Sequence, residues 1–320
     1  MSVCRLIHLL ETGQFQPCLE EAMALLAAGS EKTPDAARIY AAVCRCRLEM
    51  TDSQAAADAG MQALSLAEAG QDIDLLGAVL ADLGAARLRL KQYAPALEAL
   101  DRYLTLLPRL GAASCKEGAV RQQMAHVLQR LGFDRRAADE FTLARRWFDR
   151  FGDEKSAWAC VRSLIAQHLG KGELREALRL LEEGELHMPG AARPFQSDQL
   201  LDWARFLTAA GRPDTAAERA FAALELAEGL EQQGMAQWVL CQTALAQEKP
   251  VEALAFALAA RVSAIEGQLY SLEFDASEVI FRLLRRHGEE LLSEVAAHFE
   301  QQGVDIYDYL SELAVRRSVT

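Results

Sequence analysis

The chain has 320 residues, 51% of them hydrophobic, 25% charged and only 7% aromatic. That apolar fraction excludes a disordered chain, and the excess of Ala, Leu, Glu, Gln and Arg over β-branched residues excludes a β-sandwich or barrel. Lys and Arg number 34 against 46 Asp and Glu, a net charge of −12 that argues against nucleic acid as the partner.

The elements follow in chain order. The opening apolar stretch is broken by Arg5, His8 and Glu11 and lacks the clean core and cleavage site of a signal peptide. The patterning predicts helix pairs over 2–12 with 15–28, 35–49 with 53–69, 73–90 with 93–107, and 115–131 with 134–150. Further pairs follow over 154–170 with 173–186, 196–210 with 213–231, 234–247 with 250–267, and 271–287 with 289–302. A last helix near 304–317, carrying Tyr307, Tyr309 and Leu310, is expected to cap the array. The segments 108–115 and 187–196 are the most loop-like and are the candidate hinges. No uncharged apolar run approaches the roughly 18–20 residues of a membrane span. A soluble, cytoplasmic protein that meets no membrane is therefore expected.

A repeat runs through these pairs. Around residue 80, Leu83-Gly84 precedes Lys91-Gln92-Tyr93, then Ala96, Leu100, Tyr103 and Pro108. Small Gly84 and Ala96 let two helices approach closely, and Leu83, Tyr93 and Leu100 fill the space beside that contact. The same frame places turns at 13, 51, 91, 132, 172, 211, 248 and 288, spaced 38, 40, 41, 40, 39, 37 and 40 residues apart. The weakest copy is the last, where Gly288 leads to Ser293 and Ala297.

These residues resemble the tetratricopeptide repeat (TPR) family, in a long-unit bacterial form of about 40 residues rather than the standard 34. Arrays of this kind look like the sensor regions of bacterial signal-responsive regulators and the peptide receptors of Gram-positive bacteria. The resemblance implies an all-α, right-handed superhelical solenoid of about eight helix pairs plus a C-terminal capping helix. The array spans 1–303, in units of about 1–30, 34–70, 73–110, 114–151, 153–190, 196–232, 233–268 and 270–303, and 304–320 holds the capping helix and tail.

No phosphate-binding, zinc-protease or nucleophile-elbow motif occurs, and the six His are dispersed. The seven Cys are odd in number and lack clip spacing, so they read as small buried apolar residues of a reducing compartment. The paired carboxylates Glu20-Glu21, Glu182-Glu183 and Glu289-Glu290 read as solvated helix faces. The Arg pairs at 135–136, 145–146, 285–286 and 316–317 sit near helix ends, where solvation and the helix dipole account for them. No enzyme activity, cofactor or metal is expected.

The resemblance also implies that the first helix of each pair lines a concave groove, with residues six and ten before each turn pointing inward. Six before gives Ile7, Arg45, Ala85, His126, Ala166, Arg205, Gln242 and Arg282. Ten before gives Val3, Ala41, Ala81, Gln122, Arg162, Leu201, Trp238 and Glu278, with Arg89, Gln129, Arg130 and Arg285 nearby. Arg offers a planar fork suited to carboxylates and peptide carbonyls. One expectation is thus a partner-binding groove made of Arg45, Arg89, Gln122, His126, Arg130, Arg162, Arg205, Trp238, Gln242 and Arg282. It would grip an acidic protein or peptide segment. The other is that these Arg pair with neighbouring acids and hold the array together. The family's carboxylate clamp needs Lys and Asn at set positions in adjacent units and is not matched. Trp203, at the Leu83-equivalent position, is expected in the core.

The leading functional expectation is an adaptor or scaffold. The alternative is a peptide- or ligand-responsive regulator acting on a separate effector through a change in pitch. A third is homodimerisation through the end repeats.

Overall fold

A computed structural model describes residues 3–29, 35–111, 116–187 and 193–300. The chain divides into two compact units, Met1–Leu164 and Ile165–Thr320. The first holds α1 (Val3–Glu11), α2 (Phe15–Ala27), α3 (Ala36–Glu49), α4 (Ser53–Gly70), α5 (Ile73–Arg89), α6 (Tyr93–Leu106), α7 (Glu117–Arg130) and α8 (Asp134–Phe151). The division falls inside α9 (Glu154–Gly170). The second unit continues with α10 (Leu174–His187), α11 (Arg193–Ala209), α12 (Pro213–Leu226), α13 (Leu230–Ala246), α14 (Pro250–Glu266) and α15 (Tyr270–Glu300). The expected capping helix over 304–317 lies outside the described residues. The loop expected over 108–115 begins as a short 3₁₀ turn, Leu107–Arg109. Of the loop expected over 187–196, residues 188–192 lie outside the described residues, while 193–196 are not loop but the first turn of α11.

Each helix expected within the described residues is present. The largest shift is between α12 and α13. There Ala227 is extended at ψ 126° and Gly229 at φ −149°, so α12 ends early and α13 starts at Leu230.

The turns have a common chemistry. All eight turn positions read from the spacing have positive φ: Gly13, Thr51, Lys91, Gly132, Gly172, Gly211, Glu248 and Gly288. In the first seven, the turn residue and its successor reach back to the last helical carbonyls. Thr51 N–H donates to the Leu48 carbonyl at 3.2 Å and Asp52 N–H to that of Arg47 at 2.9 Å. Gly211 and Arg212 repeat the pattern at 3.1 and 2.8 Å. This left-handed cap satisfies carbonyls that a helix end otherwise orphans and turns the chain back on itself.

Close approach follows from small residues. Five positions after the turn stand Cys18, Ala56, Ala96, Ala137, Ala177, Ala216 and Ala253, each 0% exposed. On the facing helix, a Cβ on Gly84 would stand 2.5 Å from Leu100 Cδ2, so the bare glycine is what admits that leucine.

The eighth pair breaks the pattern. Ser293 and Ala297, expected as its packing positions, are both exposed, and Leu291, Val295 and Ala296 are buried instead. The cause is Gly288, whose φ 72° comes with ψ −162°. That conformation is open essentially to glycine alone. It divides α15 into segments 270–287 and 289–300 and presents a different face of the second segment.

Each unit is layered. In the first, α1 packs on α3, α3 on α5 and α5 on α7. Among the described residues, no contact of similar extent joins α2 to α4, α4 to α6 or α6 to α8. In the second, α11 packs on α13 and α13 on α15, with no such contact between α12 and α14. Helices crowd on the inner side of a curved stack and spread on its outer side. The first helices of the pairs are therefore the inner layer of each unit.

Five of the six described cysteines belong to the core, and the exposed Cys4 departs from the expectation. Cys18, Cys44, Cys46, Cys160 and Cys241 are buried free thiols, and Cys4 is exposed. Burial pushes Cys44, Cys46, Cys160 and Cys241 up to about 12. A thiol-specific reagent is expected to modify Cys4 at once and the five buried thiols only as the helices open. The folded-state value lies above the ordinary 9.0 of a free thiol. The stability these thiols contribute is thus complete below about pH 9 and is lost as pH rises towards about 12. The urea midpoint, followed by circular dichroism, should fall across that window, and Cys44→Ala should flatten the fall.

Candidate functional site

In the first unit, the inner layer carries cations that are already engaged. Arg45 Nη1 donates to Asp82 Oδ1 at 2.8 Å, and its Nη2 lies 3.1 Å from Glu49. Lys116 Nζ lies 3.2 Å from the same Asp82 oxygen. Asp82 is 8% exposed, and its neighbours tie α3 and α5 to the start of α7. Burial alone would lower the Arg45 pKa, but the charges of Asp82 and Glu49 outweigh it and raise it. Arg89 donates to the Leu48 carbonyl in the last turn of α3, where a cation also meets the negative end of the helix dipole. Gln122 and Arg162 are half-buried and Arg130 is exposed. His126 is half-buried, with its ring 4.9 Å from Phe141 at 78° between planes. Burial, then the Arg130 charge, lowers its pKa, so its ring is neutral at neutral pH.

In the second unit, Arg205 Nη1 lies 3.3 Å from Asp202, whose side chain is almost wholly buried. The other three expected residues come together differently. Trp238 and Gln242 stand one turn apart on α13, the indole partly buried against the core and the amide exposed. Arg282 is exposed on α15, which packs on α13, and its charge reaches the Cys241 thiol beside Gln242. Among the described residues neither Arg282 nor Arg130 has an ion pair. Glu278 is exposed one turn before Arg282.

Trp203 is half-buried rather than enclosed in the core, its ring 5.8 Å from Phe206 at 88°. An indole is too large for the slot that Leu83 fills completely. The spacing rows missed Asp82 and Lys116. Asp82 was visible as the one acid inside the apolar run LLGAVLADLGAA.

Among the described residues no group of three or more His, Cys, Asp or Glu is placed to hold a metal ion, and no helix is long and apolar enough to cross a membrane.

No family model matches the chain, and comparison with curated proteins gives no significant match. Solved structures do resemble it. A tetratricopeptide repeat protein from Parabacteroides merdae superposes with TM-score 0.65 at 13% identity, covering 88% of this chain and 97% of that one. The apo quorum sensor NprR from B. thuringiensis gives 0.60 at 14%, covering 94% and 93%. NprR in complex with its cognate peptide NprX gives 0.60 at 14%, covering 99% and 92%. At these identities the likeness concerns the fold. Sequentially paired helices with a repeated left-handed turn, together with the likeness to these structures, give this chain the tetratricopeptide repeat fold.

Proposed function

We propose that the chain binds an extended peptide or protein segment along the inner layer of first helices, and that it acts as an adaptor or scaffold. The observation that carries this is the trio Trp238, Gln242 and Arg282 on adjoining first helices. It joins an aromatic surface, an exposed amide and an exposed guanidinium without an ion partner among the described residues. The amide is suited to a peptide backbone, the indole to an apolar side chain, and the guanidinium to a carboxylate. The segment proposed is acidic. In the first unit Arg130 offers the same kind of exposed cation. Arg45 and Arg89 are held by Asp82 and by a helix carbonyl, and they serve the stack.

The test uses fluorescent acidic, neutral and basic heptapeptide libraries and fluorescence anisotropy. Acidic peptides should bind and should weaken as salt rises from 0.1 to 0.5 M, about where the screening length falls below a groove's width. Arg282→Glu should weaken binding about tenfold or more while helicity is unchanged. No binding by any library, or equal binding by Arg282→Glu, overturns the proposal.

A second reading is a peptide-responsive regulator acting on a separate effector. What supports it is the likeness to NprR, a quorum sensor whose structure holds a cognate peptide. A change in radius of gyration on peptide addition, read by X-ray scattering, favours this reading. An unchanged radius favours the scaffold.

A further inference from the structure

Two buried thiols of the Met1–Leu164 unit stand side by side. Cys18 on α2 and Cys46 on α3 are enclosed in one core cluster, and their side chains are in hydrogen-bonding contact. The repeat frame accounts for the contact. Cys18 stands five after its turn and Cys46 five before the next, where the following repeat places Ala56 and Ala86, equally buried. Residues this small fill the place when the second helix of one pair lies close to the first helix of the next. Cys44 takes no part. Two residues along a helix turn a side chain by about 160°, and Cys44 faces α4, where a Cβ on Gly60 would meet its Sγ at 3.2 Å. The cover over Cys18 is α1, whose Leu6 carbonyl accepts from Cys18 Sγ at 3.6 Å. Leu6 and Leu9 are its buried residues, the fewest of any helix from α1 to α8. Arg5 adds an ion pair to the nearly buried Glu21 of α2 at 2.9 Å. A helix with so little buried apolar surface opens before its neighbours do.

We propose that Cys18 and Cys46 are a peroxide-responsive thiol pair, gated by α1, that closes to a disulfide joining α2 to α3. Lifting of α1 uncovers Cys18 while Cys46 stays in place on α3. The Cys18 thiolate attacks a peroxide: an S–O bond forms, the O–O bond breaks, and the hydroxide released takes the proton the thiol gave up and leaves as water. On reclosure the Cys46 sulfur attacks the Cys18 sulfur. An S–S bond forms, the S–O bond breaks, and the hydroxide released takes the Cys46 proton as a second water. Two thiols are oxidised and one peroxide is reduced to two waters. The surroundings set this order. Burial raises the Cys18 pKa, the hydrogen bond from Cys46 lowers it, and the Glu21 charge raises it. At Cys46 burial and the same hydrogen bond act together and push the thiol up to about 12. Cys18 is therefore the thiol that ionises to attack, and Cys46 is the one that resolves. Once formed, the bond ties the first helix pair to the second and removes the opening that allowed it to form.

Hydrogen peroxide added to the full chain tests this, read by mass spectrometry without reduction. A Cys4→Ser background removes the exposed thiol that would bridge two chains. The chain should lose two hydrogens, peptide mapping should find Cys18 joined to Cys46, and dithiothreitol should reverse the change. Amide exchange in α2 should slow about 100-fold in the oxidised chain. Arg5→Ala, which loosens α1 and alters neither thiol, should speed bond formation about threefold or more. Cys46→Ala should leave Cys18 as a sulfenic acid that dimedone traps. The Arg5→Ala rate keeps the test open if Cys46→Ala does not fold. A Cys18 that stays reduced in the Arg5→Ala chain overturns the proposal, as does a bond from Cys18 to any other thiol. Bond formation at a rate indifferent to Arg5→Ala also overturns it, because α1 would then not be the gate.

Discussion

Phe141→Ala is expected to destabilise the Met1–Leu164 unit by about 4 kcal/mol. Phe141 stands nine residues after the turn at Gly132, on the buried face of α8, with no exposed surface. Its removal takes away the transfer energy of a whole ring and leaves a cavity between two helices held at a fixed distance by their turn. The ring also meets the edge of His126, an arrangement that contributes beyond area alone. His126 supplies a second readout. Its pKa is lowered by burial first and by Arg130 second. Opening the space beside it should let the value move back up towards the ordinary 6.5. A histidine with a depressed folded value contributes stability above its unfolded pKa and loses it as pH falls through the folded one. The variant should therefore lose less stability between pH 7 and 5 than the natural chain. Urea denaturation at both pH values, with an NMR titration of the histidine, checks both effects. Phe133→Ala, at an exposed ring just after the same turn, should change stability by less than about 0.5 kcal/mol. Equal losses at the two positions would mean that the frame does not distinguish core from surface.

The fold was legible because its determinants are local and repeated. A left-handed residue must end each first helix. A small residue must follow five positions later, and both recur about every 40 residues. Even Thr51 and Glu248, which have no glycine signature, were placed at turns by the frame set around Lys91, and all three have positive φ. The candidate site was less legible because charge pairing joins residues about one repeat apart. Arg45 and Asp82 are 37 positions apart, and Lys116 and Asp82 are 34 apart. A row of arginines read off helical spacing shows which way side chains point but not which acid waits on the neighbouring helix. The shift of the eighth pair was illegible for another reason. Gly288 looks like the other turn glycines in sequence, and only its ψ differs.

The partnering of Arg45 sorts the predicted groove. An ion pair with one nearly buried member is costly to break from either side, because the acid left behind stays desolvated. An arginine held in this way is poorly placed to trade partners for a passing peptide. Arg282 has no such commitment among the described residues, so its guanidinium can meet a ligand carboxylate without first giving up another. This places the expected effect on binding at Arg282 and the expected effect on stability at Arg45 and Asp82.

Gly288→Ala separates the turn that differs from those that agree. The expected loss is about 3 kcal/mol, against about 1 kcal/mol for Gly132→Ala. No heavy atom lies within 4 Å of a Cβ built on either glycine, so neither cost is a clash. Both are torsional, and the torsions differ. The turn position that Gly132 fills is held elsewhere by Thr51, Lys91 and Glu248, so a side chain is tolerated there. At φ 72° and ψ −162°, Gly288 stands where an L-residue almost never does. Each repeat packs mainly on its neighbours, so the damage should stay local. Amide exchange in 289–300 should rise about 100-fold, the equivalent of about 3 kcal/mol of local opening, while α3 to α6 keep their protection. A small loss at Gly288 would carry its own structural meaning. The alanine chain would have moved to the ordinary left-handed turn, and the second segment of α15 would have rotated to bury Ser293 and Ala297. The exposure of those two residues in the natural chain would then be the work of one glycine's ψ.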